Sequence, residues 1–198
     1  MDDALNLIAT ANLVHLEGRS GHRLARISSR QLEQIHELAY LRVFIEWEVF
    51  LEESFFRYVA GYTNSAGRQT TVTGRYARSY QLAEQAVLGG ASFLLWHNPT
   101  KVIARAQRFF VAGLHESVLQ SNLTRLQAFA NVRHRIVHNH ADSRANFGPA
   151  SNEIAGRRYI GGRPGTLLRD FDASSPVRRS WAQVVLEELF AMAKQIAP

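Results

Sequence analysis

The sequence predicts an all-α helical bundle with a long irregular excursion before its last helix. Two observations lead to this fold class. Apolar residues recur at helical spacing over most of the 198 residues, and short breaks rich in glycine, asparagine and proline separate these segments. The chain shows no internal repeat, no low-complexity tract and no clear domain boundary. A single domain over residues 1–198 is therefore the simplest arrangement.

The first two helices are predicted over residues 3–17 and 31–60. Gly18 ends the first and Gly61 ends the second, since glycine is the residue most often found just past the last helical turn. A polar, basic connector that reaches Arg30 joins the two helices.

Three further helices are predicted in the middle of the chain. The segment 62–74 contains glycine, threonine, asparagine and serine and is predicted to be a loop. Helical patterns then cover residues 75–88 and 100–111. Serine is a favourable N-cap residue, so a helix is predicted to begin after Ser121 and to cover residues 122–139.

The segment 141–175 is predicted to be a surface excursion, because five glycines and two of the five prolines fall within it. It has room for a short β-hairpin around Tyr159–Gly162. Ser175 and Pro176 then form a typical helix start, with a capping serine followed by proline at the first helical position. The last amphipathic helix is predicted to reach Ile196.

The composition excludes several classes of protein. Apolar residues make up 46% and charged residues 20% of the chain, which is ordinary for a globular domain and unlike a disordered one. Cysteine is absent, which excludes disulfides, thiolate zinc sites and cysteine nucleophiles. The acidic start Met1–Ala4 is unlike a secretory signal, and no run of about 18 uncharged apolar residues predicts a membrane helix. A soluble cytoplasmic protein is expected.

The positive charge is carried almost wholly by arginine and is unevenly placed. The chain has 23 basic and 17 acidic residues, and 21 of the basic residues are arginine. Residues 1–53 hold five arginines and nine acidic residues, a balance of −4. Residues 54–181 hold 17 basic and six acidic residues, a balance of +11. Because guanidinium groups suit phosphate, this distribution makes a polyanion the first partner to consider.

The segment most suggestive of chemistry is Asn131–His140, with the sequence NVRHRIVHNH. Arg133 falls on the apolar stripe of its predicted helix, where a guanidinium needs a carboxylate, an anion or an interface. His134 and His138 are four residues apart and share a flank of the helix. The sequence thus places a permanent cation beside groups that titrate near neutrality.

This combination suits RNA cleavage without a metal. A base must remove the proton of the ribose 2′-OH, an acid must protonate the leaving 5′-oxygen, and positive charge must stabilise the pentacoordinate phosphorane. Histidine can serve as base or acid, and arginine supplies bidentate contacts to phosphate. The expected products are a 2′,3′-cyclic phosphate and a 5′-hydroxyl, and DNA should resist.

The segment Arg133–His138 resembles the signature motif of the HEPN superfamily, in which an arginine and a polar residue are followed by a histidine after four to six intervening residues. Members are α-helical bundles that often form homodimers, and many are metal-independent ribonucleases that act as toxins or in antiviral defence. The resemblance implies that Arg133, His138 and His134 are catalytic. It also implies an RNA substrate, an antitoxin protein as a partner, and no cofactor. Arg135 and Asn139 are expected to bind RNA.

The identity of the motif histidine stays open between two positions. Arg133 and His138 are five residues apart, about 140° around a regular helix, so they do not converge unaided. Either the helix end unwinds, or a symmetric dimer completes the site. His140, seven residues from Arg133, is the reserve because it returns to within about 20° if the helix continues.

Two carboxylates on the long second helix are candidates for supporting the motif. Glu48 and Glu52 fall on the apolar side of that helix, where a carboxylate needs a partner. Arg133 or a motif histidine would serve as that partner. An internal ion pair with another arginine is the alternative, and the sequence favours it somewhat.

Other functions have less support. Histidines four apart on a helix can bind metal, but His-Glu-x-x-His is absent and no metal is predicted. Neither a Gly-x-Ser-x-Gly elbow nor a phosphate-binding glycine loop is present. The main rival to a nuclease is a non-catalytic module that binds RNA, nucleotide or a partner protein. The tryptophans are expected to be core anchors (Trp47, Trp96, Trp181), and the isolated histidines to be structural or exposed (His15, His36, His97, His115).

Overall fold

The computed structural model describes residues 2–19, 27–159, 161–174 and 176–198. Within these ranges the chain forms nine α-helices, and its only other regular pairings are isolated antiparallel bridges. The predicted all-α class is therefore confirmed. The helices are α1 Asp2–Arg19, α2 Ser29–Val59, α3 Tyr80–Leu88, α4 Pro99–Phe109, α5 Leu114–Ser121, α6 Leu123–Val137, α7 Ala141–Ala155, α8 Pro164–Arg169 and α9 Trp181–Ile196.

The chain divides into two compact units. The first unit comprises Met1–Ile45 and Ala128–Glu188, and the second comprises Glu46–Gln127 and Leu189–Pro198. The single domain predicted over residues 1–198 stays a prediction.

The first unit is built around large apolar side chains from α1, α2, α6, α7 and α8. Its fully buried residues include Ile8, Phe44, Phe147 and Leu168. The Tyr40 hydroxyl is buried among them and donates a hydrogen bond of 2.8 Å to the carbonyl of Phe129. A buried hydroxyl needs such a partner, and this one ties α2 to the half of α6 that carries the arginine–histidine motif.

The second unit contains an aromatic core. The Phe55 ring lies between those of Trp96 and Phe110, with centroid distances of 5.5 and 4.7 Å. His115 is fully buried beside Phe55, and its Nε2 lies 2.9 Å from the hydroxyl of Ser54. Burial disfavours the charged imidazolium and lowers the pKa of His115 to about 3. Trp96 is thus a core anchor and His115 is structural, as predicted.

Two helices in the middle of the chain differ from their prediction. Helix α3 begins at Tyr80 instead of residue 75, because the Ser79 hydroxyl accepts from the Leu82 amide and caps the helix there. Ser121 is not an N-cap, because it ends the unpredicted helix α5 and its hydroxyl donates to the carbonyl of Ser117. Helix α6 accordingly covers Leu123–Val137 and is shorter than predicted.

The predicted irregular excursion over residues 141–175 is wrong in its first half. Helix α7 covers Ala141–Ala155 despite Pro149 in its interior. Burial of Phe147, Ala150 and Ile154 on one face offsets the cost of that proline. Helix α8 follows, with Pro164 at its first position, and packs against α7.

The remaining predictions for this segment fall partly outside the described residues. Residue 160, in the predicted hairpin, and Ser175, the predicted cap, lie there, and the described residues beside 160 form no bridge. Helix α9 begins at Trp181 instead of Pro176. Ser180 caps it reciprocally with Gln183: the Gln183 amide donates to the serine hydroxyl at 3.3 Å, and the Gln183 side chain accepts from the Ser180 amide at 2.8 Å.

None of the helices in the described part of the chain is both long and apolar enough to cross a membrane.

Candidate functional site

The arginine–histidine motif lies at a sharp corner between α6 and α7. Helix α6 ends at Val137, although the His138 amide still donates to the His134 carbonyl at 2.9 Å. The buried hydroxyl of Ser143, in the first turn of α7, lies 2.8 Å from the carbonyl oxygens of both His138 and His140. Ser143 therefore fixes the corner, and α7 begins after only three non-helical residues.

The corner brings three imidazole rings together. The His134 centroid lies 4.6 Å from that of His138 and 5.0 Å from that of His140, and the latter two are 5.7 Å apart. His134 is half-buried, whereas His138 and His140 are exposed and accessible to a ligand. All three predicted histidines thus belong to one surface cluster, which we call the histidine cluster.

Helix geometry explains why His140 joins this cluster. In a continuing helix, His140 would lie six residues beyond His134 and on a different face. Because α6 stops at Val137, the chain turns back and the ring of His140 approaches that of His134 instead. Arg133 is half-buried and directly precedes His134, in the last turns of α6.

Arg135 and Asn139, the predicted RNA contacts, brace the same corner. The Nε of Arg135 donates to the Gly162 carbonyl at 2.9 Å. Its Nη1 donates to the His138 carbonyl at 3.2 Å and to the Asn139 side-chain oxygen at 3.0 Å. Arg135 thereby links the end of α6 to the loop that precedes α8. The role of Arg135 and Asn139 in RNA binding stays a prediction.

His140 has a structural role that the sequence did not predict. It is the N-cap of α7, and its Nδ1 accepts from the Ser143 amide at 3.3 Å. Since that nitrogen acts as the acceptor, a neutral His140 carries its hydrogen on Nε2. In that tautomer the exposed Nε2–H can donate a hydrogen bond, but this nitrogen cannot accept a proton. This arrangement makes His138 the better candidate for the general base.

Replacing His140 with asparagine is expected to separate capping from catalysis. Asparagine is among the best N-cap residues, so the variant should keep the stability of α7 and of the protein. If the protein cleaves RNA with His138 as the motif histidine, cleavage by His140→Asn should stay within a few-fold of wild type. Thermal unfolding and a single-turnover cleavage assay measure the two effects.

The matched variant is His140→Ala, which removes both the ring and the cap. It should lose about 1 kcal/mol of stability, because alanine cannot accept from the Ser143 amide. A large loss of cleavage by His140→Asn at unchanged stability would contradict the assignment and make His140 the motif histidine.

Glu48 and Glu52 lie in the second unit, and each has a neighbour there. Oε1 of Glu52 accepts from the indole Nε1 of Trp96 at 2.9 Å. Oε2 of Glu48 lies 3.7 Å from Nδ1 of His97. Their predicted support of Arg133 stays a prediction.

Three residues near the motif were not predicted as site residues from the sequence. Arg30, Glu37 and Arg163 line a cleft together with the predicted residues Arg135 and Asn139. The first three come from the start of α2 and the loop before α8, so no local pattern could have grouped them. The composition offered only the general excess of arginine.

Within the described ranges, no group of three or more histidine, aspartate or glutamate side chains is arranged to hold a metal ion.

Comparisons with protein-family models, with curated proteins and with solved structures give no match to this chain. The resemblance to the HEPN superfamily therefore stays a prediction that rests on the motif.

Proposed function

We propose that this protein is a metal-independent endoribonuclease of the HEPN type, which acts as a toxin or in antiviral defence. The observation that carries the proposal is the histidine cluster, three imidazoles within 5.7 Å of one another at the end of the helix that holds Arg133. A reaction that needs both a base and an acid is well served by neighbouring imidazoles.

The roles follow from position and exposure. His138 is exposed and lies beyond the last residue of α6, so its ring can reach a substrate, and it removes the proton of the 2′-OH. The resulting oxygen attacks phosphorus, and the bond to the 5′-oxygen breaks. A second imidazole, that of His134 in its protonated form, protonates the leaving oxygen or orients the phosphate. Arg133 stabilises the charge that develops on the phosphorane.

A homodimer would place two copies of this cluster near one substrate. Exposed apolar side chains on the first unit support self-association: Leu38 and Ile45 lie seven residues apart on α2 and are each more than half exposed, at 63% and 52%. Seven residues are about two helical turns, so both side chains fall on one face. The antitoxin remains the other proposed partner.

The proposal is tested by incubating purified protein with RNA in the presence of EDTA. Wild type is expected to cleave, and Arg133→Ala to cleave about 10²–10³-fold more slowly, because a donor aimed at the developing charge is lost. Arg158→Ala is the matched control: Arg158 is exposed, outside the motif, and its loss changes the net charge equally.

Two results would contradict the nuclease. Equal rates for Arg133→Ala and Arg158→Ala would overturn the site assignment. Absence of cleavage by the wild type over a broad set of RNAs would overturn the activity. The non-catalytic alternative would then show RNA affinity that falls with salt while the RNA stays intact.

A further inference from the structure

A polar cleft of about 240 Å³ lies beside the histidine cluster in the first unit. Three arginines line it, Arg30, Arg135 and Arg163, together with Asn139 and a single carboxylate, Glu37. The volume corresponds to roughly eight water molecules at about 30 Å³ each, which is room for a phosphate group and part of its sugar.

A buried carboxylate orders two of the three guanidinium groups. Glu33 is only 4% exposed, and its Oε2 lies 3.1 Å from Nη1 of Arg30 and 3.5 Å from Nη1 of Arg163. Oε1 of Glu33 accepts from the hydroxyl of Thr166 at 3.1 Å, which fixes the carboxylate itself. Both arginine side chains remain more than half exposed and keep donors for a ligand.

The third guanidinium is fixed from the opposite side. Arg135 uses Nε and Nη1 for the carbonyls of Gly162 and His138 and for Asn139, as described above. The same side chain therefore touches the corner of the histidine cluster and lines the cleft. The cleft is therefore linked to the histidine cluster through one hydrogen bond, from Arg135 to the backbone carbonyl of His138.

The charge of the lining favours an anion. Three guanidinium groups stand against two carboxylates, Glu37 in the lining and the buried Glu33, which leaves a net positive charge. Oε1 of Glu37 also accepts from the Gly165 amide at 2.8 Å. Guanidinium groups that protein contacts already hold in place lose less conformational freedom when they bind phosphate than mobile side chains do.

We propose that this cleft is a second phosphate subsite, which holds a backbone phosphate of RNA adjacent to the one that is cleaved. The inference rests on the proposed ribonuclease function for the identity of the ligand. Arg30, Arg135 and Arg163 hold the phosphate and position the neighbouring ribose at His138. Arg30 and Arg163 are positioning residues.

The first experiment measures binding of a fluorescent single-stranded RNA at several salt concentrations, in the cleavage-deficient His138→Ala background. Arg163→Ala and Arg30→Ala should each weaken the affinity about tenfold, the value of one charged hydrogen bond. Each should also make the slope of log affinity against log salt shallower by about 0.7, because one fewer counterion is released from a single strand.

Two further variants separate the charge from the geometry. Arg163→Lys should restore the salt slope but only part of the affinity, because lysine lacks the planar fork. Arg158→Ala, which lines no part of the cleft, should bind as the background protein does. If Arg163→Ala and Arg30→Ala both behave like Arg158→Ala, the subsite is overturned while the proposed nuclease stands.

A second experiment tests the cleft if the protein binds no RNA. Inorganic phosphate should raise the melting temperature of the wild type in a concentration-dependent way, and Arg163→Ala should remove most of this increase. Phosphate stabilisation of a wild-type protein that binds no RNA would overturn RNA as the ligand but keep an anion site for a free phosphate. Absence of the phosphate effect in wild type and variant alike would overturn the site.

Discussion

Replacing His138 with alanine is expected to lower the rate of RNA cleavage by about 10²–10⁴-fold, the usual contribution of a general base or acid. The loss should appear in single-turnover rates measured at saturating protein, since the substitution removes a proton-transfer group. High concentrations of free imidazole should restore part of the rate, because the solute can occupy the space left by the ring.

The fold should tolerate this substitution. The ring of His138 is exposed, and the hydrogen bonds that fix the corner use its backbone amide and carbonyl. Unfolding curves of wild type and His138→Ala should therefore nearly coincide. Equal cleavage rates, or a lost rate that imidazole does not restore at any pH, would contradict a proton-transfer role for His138.

Lowering the pH from 6.5 to 5 is expected to destabilise the second unit through His115. Burial holds the pKa of His115 at about 3 in the folded state, whereas the ordinary value is 6.5. Between pH 6.5 and pH 3, His115 binds a proton in the unfolded chain but not in the folded chain. The free energy of unfolding therefore has its full value above pH 6.5 and decreases as the pH falls below it. The expected loss is about 1.4 kcal/mol per pH unit, or about 2 kcal/mol at pH 5.

The matched variant is His115→Gln, which offers an amide donor to Ser54 but does not titrate. Burial also lowers the pKa of His36, in the first unit, so some pH dependence should remain in the variant. Urea unfolding at pH 7, 6 and 5 measures the slope of the free energy of unfolding against pH for each protein. A slope in His115→Gln equal to that of wild type would show that His115 gains its proton in the folded state as readily as in the unfolded state.

The sequence predicted the helices whose ends are marked by local chemistry. The long helix α2 was found because its apolar pattern is sustained and Gly61 follows it, and its observed end at Val59 lies within one residue of the predicted end. Helix α7 was missed because Gly148 and Pro149 interrupt it, and both residues normally break helices. Its buried face at Phe147, Ala150 and Ile154 was the signal that outweighed them.

The site was predictable only where it is local in sequence. His134 and His138 were grouped from their spacing along one helix, and the structure places their rings 4.6 Å apart. The second role of His140, as a helix cap, depends on where α6 stops, which the pattern overestimated by two residues. A cap and a catalytic group draw on the same polar side chains, so the residue type alone could not distinguish them.

The arginine cleft lay beyond sequence reasoning for a different reason. The positions of its guanidinium groups depend on Glu33. The Glu33 carboxylate accepts a hydrogen bond from Thr166, which lies 133 residues further along the chain. Neither residue belongs to a motif, and an Arg30–Glu33 pair three residues apart on a helix looks like an ordinary surface ion pair. Only the fold shows that Arg163 approaches the same carboxylate.

The most direct test of the ribonuclease proposal identifies the ends that cleavage leaves. A labelled RNA oligonucleotide is incubated with wild-type protein in EDTA, beside the same oligonucleotide with a 2′-deoxyribose at the cut position. Attack by the 2′-oxygen predicts a 2′,3′-cyclic phosphate and a 5′-hydroxyl from the RNA, and an uncut deoxy substrate. Products that carry a 5′-phosphate and a 3′-hydroxyl, cleavage of the deoxy substrate at the same bond, or no cleavage at all would contradict the account.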